Sequence, residues 1–134
     1  MSELIAVSGM TATVDQSTVN PPAFPVVAIV IADPPSGAKC SATGLVYRDG
    51  DTIQVSAITV PGAGATIPDP GPYQPAMNAT STKVKGEGVS VLREGDLSDT
   101  VSATPKIPPA PGTDYPVTFK CKISAAGQAK AKAN

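Results

Sequence analysis

Few residues in this chain can do chemistry. It contains no histidine, which removes the commonest general base, the Ser-His-Asp and Cys-His relays, and every imidazole-ligated metal site. Two cysteines, Cys40 and Cys121, lie 81 positions apart. Two thiolates alone cannot complete a tetrahedral zinc site. A disulfide would close a long loop, but a protein folded in a cytoplasm rarely keeps one. Both cysteines read first as small buried apolar residues, with a disulfide or a metal shared between chains as alternatives. The acids stand singly or in turn-like contexts, and there is neither a Gly-rich phosphate loop ending in Lys-Ser/Thr nor a GxGxxG. The expectation is a protein that is not an enzyme, with no catalytic residue, no metal and no cofactor.

Charge adds little. The net charge of −1 provides no field to hold nucleic acid, and no nucleic-acid partner is expected. Its distribution is uneven: no Lys or Arg precedes Lys39, and four lysines with no acid fall between Pro116 and Asn134. That Lys-rich tail reads as a solvated, edge-protecting row, with contact to phosphate or an acidic partner as the alternative. The N-terminus MSELIAVSGM lacks the basic start of a secretory signal, so folding in a cytoplasm is expected. The longest nearly uncharged apolar run, Phe24 to Ala32, is nine residues, far short of the ~20 of a membrane helix.

The elements must be strands. The chain is 134 residues long, the size of one domain, and carries 12 Gly and 15 Pro. The prolines leave no long window with a helical apolar stripe. Ser2 to Ala12 reads as a mildly apolar strand. Val26 to Ala32 (VVAIVIA) reads as a strand buried on both faces, so Ile29→Asp is expected to abolish folding or docking. Gly44 to Arg48 and Thr52 to Val60 flank Asp49-Gly50-Asp51, a hairpin signal. Thr82 to Lys85 and Val89 to Arg93 flank Gly86-Glu87-Gly88. Val117 to Ser124 alternates with period two, placing Val117, Phe119, Cys121 and Ile123 on one face. The Pro-rich stretches 61–75 and 105–116 cannot be inner strands and should wrap over the sheets, anchored by Ile67, Tyr73, Ile107 and Tyr115.

An internal repeat runs through these strands. Residues 45–51 (LVYRDGD) and 90–96 (SVLREGD) share apolar-Arg-acid-Gly-Asp at an offset of 45. Upstream, Lys39, Cys40 and Gly44 match Lys83, Val84 and Gly88. A partial third copy is read from Lys120-Cys121-Lys122 to Gly127, without the Arg-acid-Gly-Asp turn. Such hairpins cannot bury their apolar faces singly, and copies about a common axis bury them jointly. The shared Cys40 and Val84 position then points to the axis. The matched sets Lys39, Cys40, Gly44, Arg48, Gly50, Asp51 and Lys83, Val84, Gly88, Arg93, Gly95, Asp96 form equivalent strands and corners. Gly95 is expected in a backbone conformation poor for other residues.

The segment Thr80 to Asp96 (TSTKVKGEGVSVLREGD) resembles the repeat of PAAR and PAAR-like domains, roughly Ser-x-Lys-Val-x-x-x-Gly-x-x-Val/Ala-x-Arg-x-Gly-Asp. Asp69 to Tyr73 and Met77-Asn78 are similar to the Pro-rich lead-in of the PAAR-like branch. The match covers about 20 residues, with a weaker echo at 37–54. The resemblance implies an all-β fold, a small conical β-structure or β-prism with approximate internal threefold repetition, with a β-sandwich as the alternative. It implies one domain over 1–134: N-terminal strands over 1–36, repeat hairpins at 37–54 and 81–98, and a C-terminal strand and tail over 117–134. It further implies a structural virion protein of the tail baseplate, assembled in the host cytoplasm. That protein caps the central spike of a contractile tail or injection machine, one copy per trimeric spike or hub protein, and touches the host outer membrane transiently. Many members bind a metal near the point through His and Cys; this chain has no histidine, so that site is not carried over. A capsid decoration protein or tail-associated β-sandwich shares the composition and needs no internal threefold.

Overall fold

In the computed structural model of the protein, residues 3–36, 39–40, 44–80, 85–86, 89–128 and 132–133 are described, with backbone only at 3, 39–40, 44, 85–86 and 132–133. The fold is all-β, and its described elements are antiparallel strands apart from one turn of 3-10 helix at Pro61–Ala63. In chain order the strands are β1 Glu3–Leu4, β2 Thr11–Asn20, β3 Val27–Ala32, β4 Lys39–Cys40, β5 Gly44–Leu45, β6 Ile53–Val60, β7 Ala65–Asp69 and β8 Met77–Asn78. They continue as β9 Lys85–Gly86, β10 Val89–Ser90, β11 Leu97–Ser98, β12 Val101–Ala103, β13 Lys106–Ile107, β14 Thr113–Asp114, β15 Val117–Ala125 and β16 Lys132–Ala133.

Two five-stranded sheets carry the body. In one, β15 is central, with β2 on one edge and β11 then β12 on the other, and β8 beyond β11. In the other the order is β14-β13-β7-β6-β3. The alternation read in Val117 to Ser124 is visible as burial of Val117, Phe119, Cys121 and Ile123, with Thr118, Lys120, Lys122 and Ser124 facing outward or half-buried. These side chains meet Ile53, Val55, Ile58 and Val60 of β6, Met77 and Leu92 in one shared core. Burial of that apolar area is the main stabilising term.

Four expectations change. First, Val26 to Ala32 is not buried on both faces: β3 ends its sheet with β6 as its ladder partner, and Val27, Ile29 and Ile31 are 53%, 54% and 60% exposed. The run is continuously apolar, yet only its alternate residues face the core. Second, both Pro-rich stretches hold an inner strand: β7 lies between β6 and β13 despite Pro68, and β13, flanked by Pro105 and Pro108, lies between β7 and β14. A register shift between Ile58 and Val60 in the opposing strand loosens the ladder around the segment that holds the proline, where a missing N–H does least harm. The anchors Tyr73, Ile107 and Tyr115 do pack against the core, and Ile67 is half-buried. Third, Ser2 to Ala12 is not one strand; it breaks at Ser8-Gly9, and β2 starts after that turn. Fourth, Asp49-Gly50-Asp51 does not close a hairpin. β5 pairs with β4, and β6 pairs with β3 and β7, so the Asp-Gly turn is a corner at which the chain passes from one layer to another.

Candidate functional site

The feature that organises this molecule is a layer of three equivalent corners. Each begins with a short two-stranded ladder: β16 with β1, β4 with β5, and β9 with β10. Each then passes through an apolar pair and a tight turn, at Ile5 to Met10, Val46 to Asp51 and Val91 to Asp96. The turns close alike, with Met10 N donating to Val7 O (2.9 Å), Asp51 N to Arg48 O (3.0 Å) and Asp96 N to Arg93 O (3.1 Å). Each contains a glycine in the left-handed region, Gly9 at φ +95°, Gly50 at +91° and Gly95 at +94°. In these turns an L side chain would be strained, which is why glycine stands at all three.

The corners bond to one another in a closed circuit. Ala6 N donates to Leu92 O (2.9 Å), Leu92 N to Tyr47 O (2.9 Å) and Tyr47 N to Ala6 O (3.0 Å). A second circuit surrounds the first: Ser8 N to Leu45 O (2.8 Å), Asp49 N to Ser90 O (2.8 Å) and Glu94 N to Leu4 O (2.8 Å). Isolated bridges Val7–Val46, Arg48–Val91 and Ile5–Arg93 join the same three neighbours. The equivalent side chains Ile5, Val46 and Val91 form a small buried cluster with Val7. Ala6, Tyr47 and Leu92 point the other way, into the main core. The backbone of this layer therefore has threefold pseudo-symmetry within one chain.

The third copy is not where the sequence placed it. Lys120-Cys121-Lys122 lies within β15, the central strand of a sheet. The third copy is instead split between the chain ends, with β16 supplying its first strand and residues 3–10 the rest. The register also aligns Lys39 with Lys85 and Lys132, opposite Leu45, Ser90 and Leu4. The match of Lys39 to Lys83 is thus displaced by two residues. Lys83, Val84 and Gly88 lie outside the described residues, and Lys39, Cys40 and Gly44 are described in backbone only, so the axial orientation read for Cys40 and Val84 stays outside what is described.

Two corners are polar and one is not. At the first polar corner Asp51 accepts from Arg48 N (2.8 Å), Ser36 N (3.1 Å) and Ser36 Oγ (2.5 Å), and Arg48 Nε donates to Ser36 Oγ (3.1 Å). At the second, Asp96 accepts from Arg93 N (2.8 Å) and Thr80 Oγ1 (2.5 Å), while Arg93 Nη2 donates to Thr80 Oγ1 (2.6 Å). The pairs Ser36 and Thr80, Arg48 and Arg93, Asp51 and Asp96 are equivalent. The aspartates bind the backbone of their own turns, so they are corner braces rather than half of a surface ion pair. Asp96 is 3% exposed, and a buried carboxylate with these donors is a structural group. At the third corner Val7 and Met10 replace the Arg and Asp. There Val7 N donates to Ala126 O (2.9 Å), a main-chain carbonyl doing the work of the carboxylate. Gly127 makes this contact possible, because a Cβ there would lie 2.8 Å from Met10 N and 3.0 Å from Gly9 C. The Ser36 and Thr80 partners and the split third corner had no motif to reveal them.

Elsewhere the titratable groups also serve the scaffold. Asp33 takes hydrogen bonds from Thr52, Gln54 and Gln74; the Thr52 bond, with the two amides adding to it against a burial penalty, holds its carboxyl below the ordinary value. Burial alone would push Asp69 up, but donors on Tyr73, Thr104 and Gly71 outweigh it and hold it low. The same bond to Asp69, with burial, pushes Tyr73 up to about 12. Cys121 is a free, fully buried thiol pushed up to about 12 by burial, a poor nucleophile at neutral pH. Among the described residues no three His, Cys, Asp or Glu side chains gather as a metal site. Compared with known proteins, the chain matches no family model, no curated protein and no solved structure.

Proposed function

We propose that this chain is a structural cap on the end of a trimeric spike, the tip piece of a contractile tail or related injection machine. The observation that carries the reading is the closed hydrogen-bond circuit of Ala6, Tyr47 and Leu92. A single chain with a pseudo-threefold layer can meet three identical strands of a true trimer without a symmetry mismatch. The resemblance of Thr80 to Asp96 to the PAAR-like repeat supports the same role, and so does the material of the body. Proline removes chain entropy, small residues keep the cross-section slim, and described helix is limited to one turn. The reading is a β-prism or cone with one copy per trimer, free of metal and cofactor and without catalysis, working in the baseplate against an outer membrane.

The test is stoichiometry. Native mass spectrometry of the purified chain should give a monomer, and titration into the trimeric spike protein of the same particle should saturate at one per trimer. A stable homotrimer, or saturation at three per trimer, overturns the cap and favours a decoration or spike-shaft protein.

A further inference from the structure

Across the equivalent described positions of the three copies, only two carry one residue type throughout. One is the turn glycine, Gly9, Gly50 and Gly95, which its positive φ explains. The other is a lysine. Lys132 stands opposite Leu4, Lys39 opposite Leu45 and Lys85 opposite Ser90. The neighbouring ladder positions differ: Ala133, Cys40 and Gly86 on one strand, Glu3, Gly44 and Val89 on the other. A strand position accepts many residue types, so the backbone does not require lysine at all three.

The ring fixes where these positions lie. Leu4, Leu45 and Ser90 are the residues whose carbonyls close the outer circuit, accepting from Glu94 N, Ser8 N and Asp49 N at 2.8 Å each. The three lysines opposite them therefore occupy equivalent places about one pseudo-threefold axis. In every copy a ladder leads into the ring, and a strand of the sheets, β2, β6 or β11, leads out of it.

Charge follows the same division. In sequence, Lys39, Lys83, Lys85, Lys130 and Lys132 fall within or beside the ladder strands, against Glu3 and Glu87. Glu3 stands opposite Ala133, one position from the Leu4–Lys132 pair, and so on the alternate face of its ladder. The other cations serve the scaffold. Arg48 and Arg93 brace the corners, Lys106 bonds Asp114 (3.0 Å), Lys120 stands opposite Asp15, and Lys122 lines a groove with Glu94. Two exposed apolar residues, Leu45 and Val89, belong to the same ladders as the lysines.

We infer that Lys39, Lys85 and Lys132 dock the chain on its trimeric partner by binding three carboxylates, one Asp or Glu from each chain of the trimer. The inference rests on the cap reading and adds the chemistry of the contact. Three cations at equivalent places about an axis match three anions held alike, which a trimer supplies by symmetry. Complementary charges of this kind steer the encounter and set its register. A lipid surface holds its phosphates in no fixed array and is served by lysines at any register, so the identity of the three positions favours a protein. Leu45 and Val89 add apolar area beside the charges, the mixture of a protein interface.

Binding of the purified chain to the trimeric spike protein of the same particle tests it. Carbodiimide coupling of the wild-type complex joins a lysine amine to a carboxylate in direct contact. Peptide mass spectrometry should then find Lys39, Lys85 and Lys132 linked to one and the same Asp or Glu position of the trimer. Lys39→Gln, Lys85→Gln and Lys132→Gln should each weaken binding about threefold at low salt, and the triple variant about 30-fold, chiefly through the on-rate. These differences should shrink at about 1 M salt. Lys120→Gln and Lys122→Gln, both in β15, should leave binding unchanged. Links to unrelated positions or to none, a loss confined to one lysine, or an equal loss in the β15 variants would overturn the inference. Lost binding of the triple variant to vesicles of phosphatidylglycerol and phosphatidylcholine, with trimer binding intact, would overturn it in favour of a lipid surface. All of these failures leave saturation at one chain per trimer, and with it the cap reading, in place. Saturation at three per trimer, or no complex, removes both.

Discussion

Removing the buried carboxylate of Asp96 should damage the molecule more than removing its half-buried counterpart Asp51. Asp96→Ala strips the acceptor from Arg93 N and from Thr80 Oγ1 at a position 3% exposed. Arg93 N, half-buried and left without a partner, costs about 1–3 kcal/mol, and the loss of the bond from the exposed Thr80 hydroxyl adds about 1 kcal/mol, so the two together should cost about 2–4 kcal/mol. Asp51→Ala strips three donors, but two come from Ser36 in an exposed setting, where water replaces the lost acceptor. Its cost should be about 1 kcal/mol. For a domain of this size each kcal/mol moves Tm by roughly 3–6 °C. Thermal melts should therefore fall by about 6–24 °C for Asp96→Ala and by about 3–6 °C for Asp51→Ala. Far-UV spectra at low temperature should confirm that both variants fold. A loss at Asp51 equal to or larger than that at Asp96 would refute the reasoning, because the donor count would then outweigh burial.

Three further results are expected. Gly95→Val should destabilise by more than roughly 1 kcal/mol through backbone strain, and Gly127→Ala by more than Gly95→Ala, since its Cβ would meet the backbone of Gly9 and Met10 while the Gly95 position has nothing within 4 Å; urea melts of the two alanine variants decide the order. Ile29→Asp should fold with a near-normal melt because Ile29 is 54% exposed, whereas Ile58→Asp, at 0%, should give insoluble or unfolded protein on a solubility and circular dichroism screen. The folded-state value of Asp33 lies below its ordinary 3.8, so its contribution is present above that value and is lost as pH falls through the lower folded one. Urea midpoints measured from pH 5 down to pH 2 should decline more steeply in the wild type than in Asp33→Asn.

Strand alternation made the fold class readable. Val117 to Ile123 shows period two, and the prolines exclude long helices, so an all-β chain follows from local chemistry alone. What was not readable depended on neighbours. Nothing within VAIVIA says whether a second strand covers its outer edge, and in the structure none does among the described residues. Pro68 looked incompatible with an inner strand, yet a register shift in β6 relaxes the ladder around it. The corner motif was visible twice because Arg, an acid, Gly and Asp make a recognisable string. The third corner kept only the glycine, since Ala126 O took over from the carboxylate. A repeat defined by backbone geometry needs only the residue whose φ is special, and one glycine is too weak a signal to search for.

The placement of that third corner constrains how the molecule forms. Its ladder joins Leu4 to Lys132 and Glu3 to Ala133, nearly the whole chain apart. The inner circuit needs Ala6 to meet Tyr47 and Leu92, whereas the two Asp-braced corners draw on residues within 20 positions of each other. Local turns with their own acceptors form readily, and long-range closure is slow because the loop entropy must be met first. The two polar corners can therefore form early, as units braced by Asp51 and Asp96. The third, lacking an acceptor of its own, depends on Ala126 and Gly127 reaching Val7. This is a physical reason for the asymmetry of the three corners: the copy assembled from the chain ends is held by contacts that exist only once the ring has closed.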